Sequence, residues 1–162
     1  MPHRLRTRTS LGCWTTTEVA ALLDVNVLVA LSWPNHVHHG AARAWFTAHA
    51  PDGWATTPFT EAGFTRVSSL RTALPMMATP ETAIEMLTLL TGQTGHEFWP
   101  DDVPLVIGSE PVGPLQGHRQ VTDAHLLALA MSRTGRLLTF DAGIRSIAHG
   151  LPDDIVEVLG EL

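Results

Sequence analysis

The sequence predicts an α/β domain, a parallel sheet with helices on both faces. Three observations carry this. Short apolar runs of strand length alternate with stretches of helical apolar spacing from residue 20 to the C-terminus. Thr-Pro pairs at 57–58 and 79–80 mark helix starts, since Pro suits the first helical position. A segment from Ala124 to Met131 is apolar nearly all round, the mark of a central, buried helix.

The elements follow in order. Residues 1–18 carry Arg and Thr with little apolar periodicity, and read as a disordered tail or a start codon placed too early. Residues 19–162 read as one domain, with no repeat and no linker. Ala20 to Leu23 is a strand candidate, followed by Asp24-Val25-Asn26 and a second apolar stretch. His36 to His49 has Ala41, Ala42, Trp45 and Phe46 at helical spacing. Gly53 to Thr57 is the next strand. The helix after Pro58 carries Phe59, Gly63, Val67 and Leu70 on one face and ends before Pro75. Another runs from Pro80 towards Gly92. The stretch 92–117 is rich in Gly and Pro, with one apolar run from Leu105 to Ile107. Thr122-Asp123 opens the buried helix, which Gly135 stops. Arg136 to Phe140 is a strand, Asp141 starts a short helix, and Ile155 to Leu159 is a last strand.

Composition removes several chemistries. All ten basic residues are Arg, so there is no Schiff-base lysine, no lysine general base and no Walker-type phosphate loop. The net charge of −6 excludes a broad basic face for nucleic acid, so any nucleic acid is met locally or through bound cations. The lone Cys13 cannot form an internal disulfide, which suits a cytoplasmic protein. No apolar stretch approaches the ~18 residues of a spanning helix, so no membrane is expected.

In open parallel sheets, ligands bind where strands hand over to helices at the carboxyl edge. Four acids fall at those handovers: Asp24, Glu61, Asp123 and Asp141. Each alone has an ordinary explanation, because acids cap helices and suit the positive end of the helix dipole. Together they would repel one another unless a counter-charge sits among them. With no Lys in the chain, a hard divalent cation fits that place, and all-oxygen ligands select Mg²⁺, with Mn²⁺ as a substitute.

The residues also match a family in order. Leu22-Leu23-Asp24-Val25-Asn26-Val27-Leu28, Pro58-Phe59-Thr60-Glu61, Gly117 to Ala124 and Leu138-Thr139-Phe140-Asp141 resemble the motifs of PIN-domain ribonucleases, most closely the VapC toxins of VapBC type II toxin–antitoxin modules. The resemblance spans residues ~20–160. It implies a PIN-like fold and a Mg²⁺-dependent endoribonuclease with RNA as substrate. It gives the acidic roles to Asp24, Glu61, Asp123 and Asp141, with polar support from Asn26, Thr122 and Thr139. It also implies a VapB-type antitoxin partner and a homodimer.

Competing readings are weaker. His36, His38, His39 and His49 lack the acidic or Cys ligand that would complete a zinc site, and read as a solvated helix start. Trp45 reads as a core or dimer contact. Arg66, His118 and Arg119 are candidates for RNA contact. A haloacid-dehalogenase-type phosphatase wants an Asp where Asn26 stands, and a receiver domain needs a Lys. A non-catalytic module on the same fold is the remaining alternative, against which the four retained acids argue.

Overall fold

The computed structural model describes residues 5–8, 14–17, 19–70, 78–105 and 115–160, the first two segments and Arg119 through their backbone alone. Cys13, the approach to Pro75 and the apolar pair Val106-Ile107 lie outside the described residues.

The stretch read as a tail contains a two-stranded antiparallel ribbon, β1 (Leu5–Arg8) and β2 (Trp14–Thr17). These strands pair with each other and not with the main sheet. That sheet holds β3 (Ala21–Leu23), β4 (Trp54–Thr56), β5 (His96–Phe98), β6 (Arg136–Thr139) and β7 (Val156–Val158). Every pairing is parallel, in the order β5-β4-β3-β6-β7. The first strand is therefore central. The chain builds outward to β5 on one side, then crosses back to place β6 on the other side of β3.

Successive strand residues point to opposite faces, and the core divides accordingly. Leu22, Ala55 and Leu137 join one cluster with α5 (Arg119–Ser132), Ile144 and Ile147. Ala21, Leu23, Trp54 and Leu138 join the other. There they meet α1 (Val25–Ser32), α2 (His39–His49), α3 (Pro58–Ser68) and α4 (Pro80–Thr91). Within α5, Ala124 and every residue from Leu126 to Ala130 are buried, as its all-round apolarity requires. Trp45 is core: its ring joins the α1–α4 cluster and its Nε1 donates to Glu157 at 2.8 Å.

Three expectations need correction. β5 lies in the Gly- and Pro-rich stretch, because an edge strand with mostly exposed side chains carries no apolar run. The buried face of α3 is Thr60, Phe64 and Ser68, one residue round from the predicted stripe, so Phe59 and Leu70 are exposed. Two polar residues sit on that face because each is bonded. The Thr60 hydroxyl accepts from Thr57 N at 3.0 Å and donates to Thr57 O at 3.1 Å, and Ser68 accepts from Trp33 Nε1 at 2.9 Å. Gly63 lets α3 approach α1 closely: a Cβ there would stand 2.6 Å from Val25 Cγ2. Finally, α5 starts at Arg119, not Thr122, so Asp123 lies in its second turn.

Candidate active site

The site is built from β3 upward. That strand ends at Leu23 and α1 starts at Val25, so Asp24 alone makes the turn. Its backbone N–H donates to Leu138 O at 3.0 Å, which ties it to β6 at the point where the strand order reverses. Its Oδ1 accepts from Val25 N at 2.6 Å and its Oδ2 from Thr139 Oγ1 at 2.8 Å. Thr139 is the hub of this corner. Its hydroxyl also accepts from Asn26 Nδ2 and from Asp141 N, both at 3.1 Å. Asn26 Oδ1 in turn accepts from Phe140 N at 3.3 Å. Asp141 caps the short 3₁₀ turn Ala142–Ser146, accepting from Gly143 N at 2.8 Å.

Electrostatics draw in the third aspartate. Asp123 sits on α5 beyond the first turn, so it caps nothing, and the ordinary explanation for an acid at a helix start fails for it. Burial first, then the charges of Asp24 and Asp141, push its carboxyl up to about 6. Asp24 is also raised, chiefly by burial and further by Asp141, against the lowering hydrogen bonds from Thr139 and Val25. Three carboxylates thus act on one another at the end of β3 and β6. Thr122, beside Asp123, is half-buried.

Glu61 stands apart from this trio, towards β4 and β5. Its Oε1 accepts from Thr56 Oγ1 at 2.7 Å, and the same hydroxyl lies 2.8 Å from His96 Nε2. The charges acting on Asp24 and Asp123 are those of the other aspartates, whereas Glu61 acts on His96. The three aspartates thus act on one another, and Glu61 is bonded to Thr56 at the end of β4. Among the described residues, no three or more His, Cys, Asp or Glu side chains stand close enough to hold a metal ion together.

The His-rich segment is structural. His38 stacks on Phe140 with centroids 4.5 Å apart, His39 Nδ1 bonds Ala30 O at 2.8 Å, and His49 faces Asp52 at 3.6 Å. Arg66 and His118 are exposed, and the Arg119 side chain lies outside the described atoms.

The PIN domain family matches residues 21–150. The chain belongs to this family. Among its relatives, ribonuclease VapC39 of Mycobacterium tuberculosis is 54% identical over 142 residues, 87% of this chain and 100% of that protein. Ribonuclease VapC38 of the same organism is 52% identical over 139 residues, covering 86% and 97%. Among solved structures, VapBC2 from Rickettsia felis bound to a promoter DNA fragment has a TM-score of 0.60 at 15% identity, covering 86% of this chain and 98% of that one. VapC20 of M. tuberculosis, a toxin that cleaves the sarcin–ricin loop, has a TM-score of 0.57 at 12% identity, covering 78% and 94%. Both structural likenesses are of fold.

Two polar pairs in this PIN domain escaped sequence reasoning. One is Thr56 with His96, whose only signal is a Thr closing an apolar strand. The other is His125 with Asp101, 2.6 Å apart, with Phe59 edge-on to the imidazole at 6.3 Å. Its partners come from segments 24 residues apart, and no spacing rule connects them. No helix among the described residues is long and apolar enough to cross a membrane.

Proposed function

We propose that this chain is a divalent-cation-dependent endoribonuclease, the toxin of a type II toxin–antitoxin pair acting in the cytoplasm on RNA. Residues 19–162 form its functional domain. The observation that carries the reading is Asp123, which has no capping role and whose half-buried carboxyl is pushed up to about 6 by burial and then by the charges of Asp24 and Asp141. Such an arrangement is unfavourable by itself and becomes favourable when a cation joins it.

The donor set fits a hard divalent ion. Asp24 and Asp123 offer carboxylate oxygens, and those of Asp24 are oriented by Val25 N and Thr139 Oγ1. These two would hold the ion directly, which asks for no third carboxylate within ligand distance. Asp141 would act through water or at a second ion, and Glu61 from the β4 side. We assign Mg²⁺, with Mn²⁺ able to replace it, as the form of the divalent-metal dependence general to VapC ribonucleases. When bound, the cation supplies counter-charge and the Lewis acidity that polarises a phosphate oxygen.

The remaining work belongs to the chain. Thr139 fixes the rotamer of Asp24, and Asn26 holds Thr139 and the backbone of Phe140. Two charge-bearing strand ends are thereby locked to each other. A cation held there would favour the charged form of the Asp123 carboxyl, which burial and the charges of Asp24 and Asp141 push up to about 6. The surplus negative charge also suits an antitoxin that offers an Arg to the site. Its amphipathic segment would lie in the groove lined by Leu31, Phe46, Met86 and Leu90, between α1, α2 and α4. A homodimer completes the proposed assembly.

The test is cleavage of structured RNA by the purified chain with Mg²⁺ or with EDTA, beside Asp123→Asn. Cutting by the wild type in Mg²⁺ alone, lost in the variant, is expected. Cutting that survives EDTA or Asp123→Asn would overturn the reading. Sequencing 5′ ends of cellular RNA after brief induction then identifies the target.

A further inference from the structure

A hydroxyl has one proton to give. Thr56 Oγ1 spends that proton on Glu61 Oε1 at 2.7 Å, and a carboxylate oxygen only accepts. Its second close contact, His96 Nε2 at 2.8 Å, must then be a donor. The three groups form a one-way chain: imidazole N–H to hydroxyl oxygen, hydroxyl proton to carboxylate.

Every member is held in place. Thr56 is fully buried at the last position of β4, and its carbonyl accepts from Trp99 N at 2.8 Å. His96 opens the neighbouring β5, and its ring packs on Trp54 with centroids 4.6 Å apart. Burial lowers the imidazole below its usual value, against the pull of Glu61 and Glu97, which favours the neutral ring with one N–H. A hydroxyl buried at a β-strand end would be replaceable by an apolar side chain of the same shape if it served packing alone.

We propose that Thr56 and His96 are positioning residues that aim the carboxylate of Glu61 at the catalytic edge through this proton chain. The proposal rests on the nuclease reading above. It accounts for how Glu61, outside the aspartate trio, is kept in one orientation on the first turn of α3. It also assigns the tautomer: neutral His96 carries its proton on Nε2.

The experiment compares the purified wild type with Thr56→Val, Thr56→Ser, His96→Leu and Glu61→Gln. A further variant combines Thr56→Val with Glu61→Gln. Thr56→Val should lower the RNA cleavage rate by about 10- to 100-fold, the usual loss for a group that orients a ligand, and weaken the Mg²⁺-induced rise in melting temperature. Thr56→Ser should restore most of both, and His96→Leu should fall between. On top of Glu61→Gln, Thr56→Val should add no further loss, since both act through one carboxylate. ¹⁵N NMR of the metal-free protein should show the Nε2–H tautomer at His96. Unchanged rate in Thr56→Val, equal loss in Val and Ser, additive loss in the double variant, or an Nδ1–H tautomer would each overturn the proposal. Inactive Asp123→Asn beside fully active Glu61→Gln would sink the proton chain alone. Active Asp123→Asn would sink the nuclease reading itself.

Discussion

Asp123→Asn should stabilise the metal-free protein, and the gain should depend on pH in a defined direction. The carboxyl titrates near 6 instead of at its ordinary 3.8, so at about 1.36 kcal/mol per pH unit the ceiling is about 3 kcal/mol. The side chain is half-buried, and solvent screening brings the usable figure down to about 1 kcal/mol. A carboxyl whose folded value lies above its unfolded one destabilises the fold at every pH above about 6. That penalty shrinks as the folded state takes up its proton, and is gone near pH 4. Asn, of the same shape and uncharged, removes the penalty outright. In EDTA at pH 7.5 the variant should melt about 2–4 °C above the wild type, the shift that 1 kcal/mol gives a chain of this length. The gap should close as the buffer is taken to pH 4.5. Magnesium should reverse the order, since a ligand at ten times its Kd adds about 1.4 kcal/mol to whichever protein binds it. Melts followed by circular dichroism over this grid decide the matter. A variant that melts at or below the wild type at pH 7.5, or a gap that does not narrow on acidification, refutes the raised Asp123 carboxyl.

Thr139→Val should cost about 1–3 kcal/mol, because it strips Asp24 of its buried donor and leaves Asn26 Nδ2 and Asp141 N without their acceptor; urea titration reads this directly. Gly63→Ala should cost about 1–3 kcal/mol by driving α3 off Val25, and the double variant with Val25→Ala should recover part of the loss in the same assay. Removing residues 1–18 should leave the melting temperature within about 5 °C, since β1 and β2 pair only with each other; a larger drop would show that the ribbon packs on the domain.

Four of the five strands of the main sheet were legible because their residues are apolar and buried. Ala21 to Leu23 and Leu137 to Leu138 fill both cores, and a parallel strand covered on both faces reads as a continuous run. β5 was not legible, because His96, Glu97 and Phe98 stand at the sheet's edge, where burial asks little of them. The helical wheel of α3 misled because it counts apolar residues. At its buried face, Thr60 bonds the backbone of Thr57 and Ser68 accepts from Trp33 Nε1, so both occupy positions a wheel assigns to solvent. Within the site, the carboxylates were found from their handover positions, and Asn26 and Thr139 from family motifs. What spacing could not convey is how the chain divides them. Coupling among Asp24, Asp123 and Asp141, with Glu61 left to Thr56, depends on the crossover that seats β6 beside β3. The start of α5 was placed late because Thr and Asp are favoured caps, whereas His118 caps it with no side-chain bond.

The strand order has a consequence for when the protein becomes dangerous to its maker. Asp24 emerges from the ribosome first among the site residues, and the hydroxyl that fixes it follows 115 residues later. At about 5–20 residues per second, the interval is roughly 6–23 s of translation. Throughout it the nascent chain lacks β6, so the central strand has one side bare and the aspartates have no common edge on which to meet. A chain stopped before Thr139 carries Asp24 without the hydroxyl that fixes it. Competence arrives with the last strands to be synthesised, which leaves each new chain a harmless period in which a partner can be made and can find it.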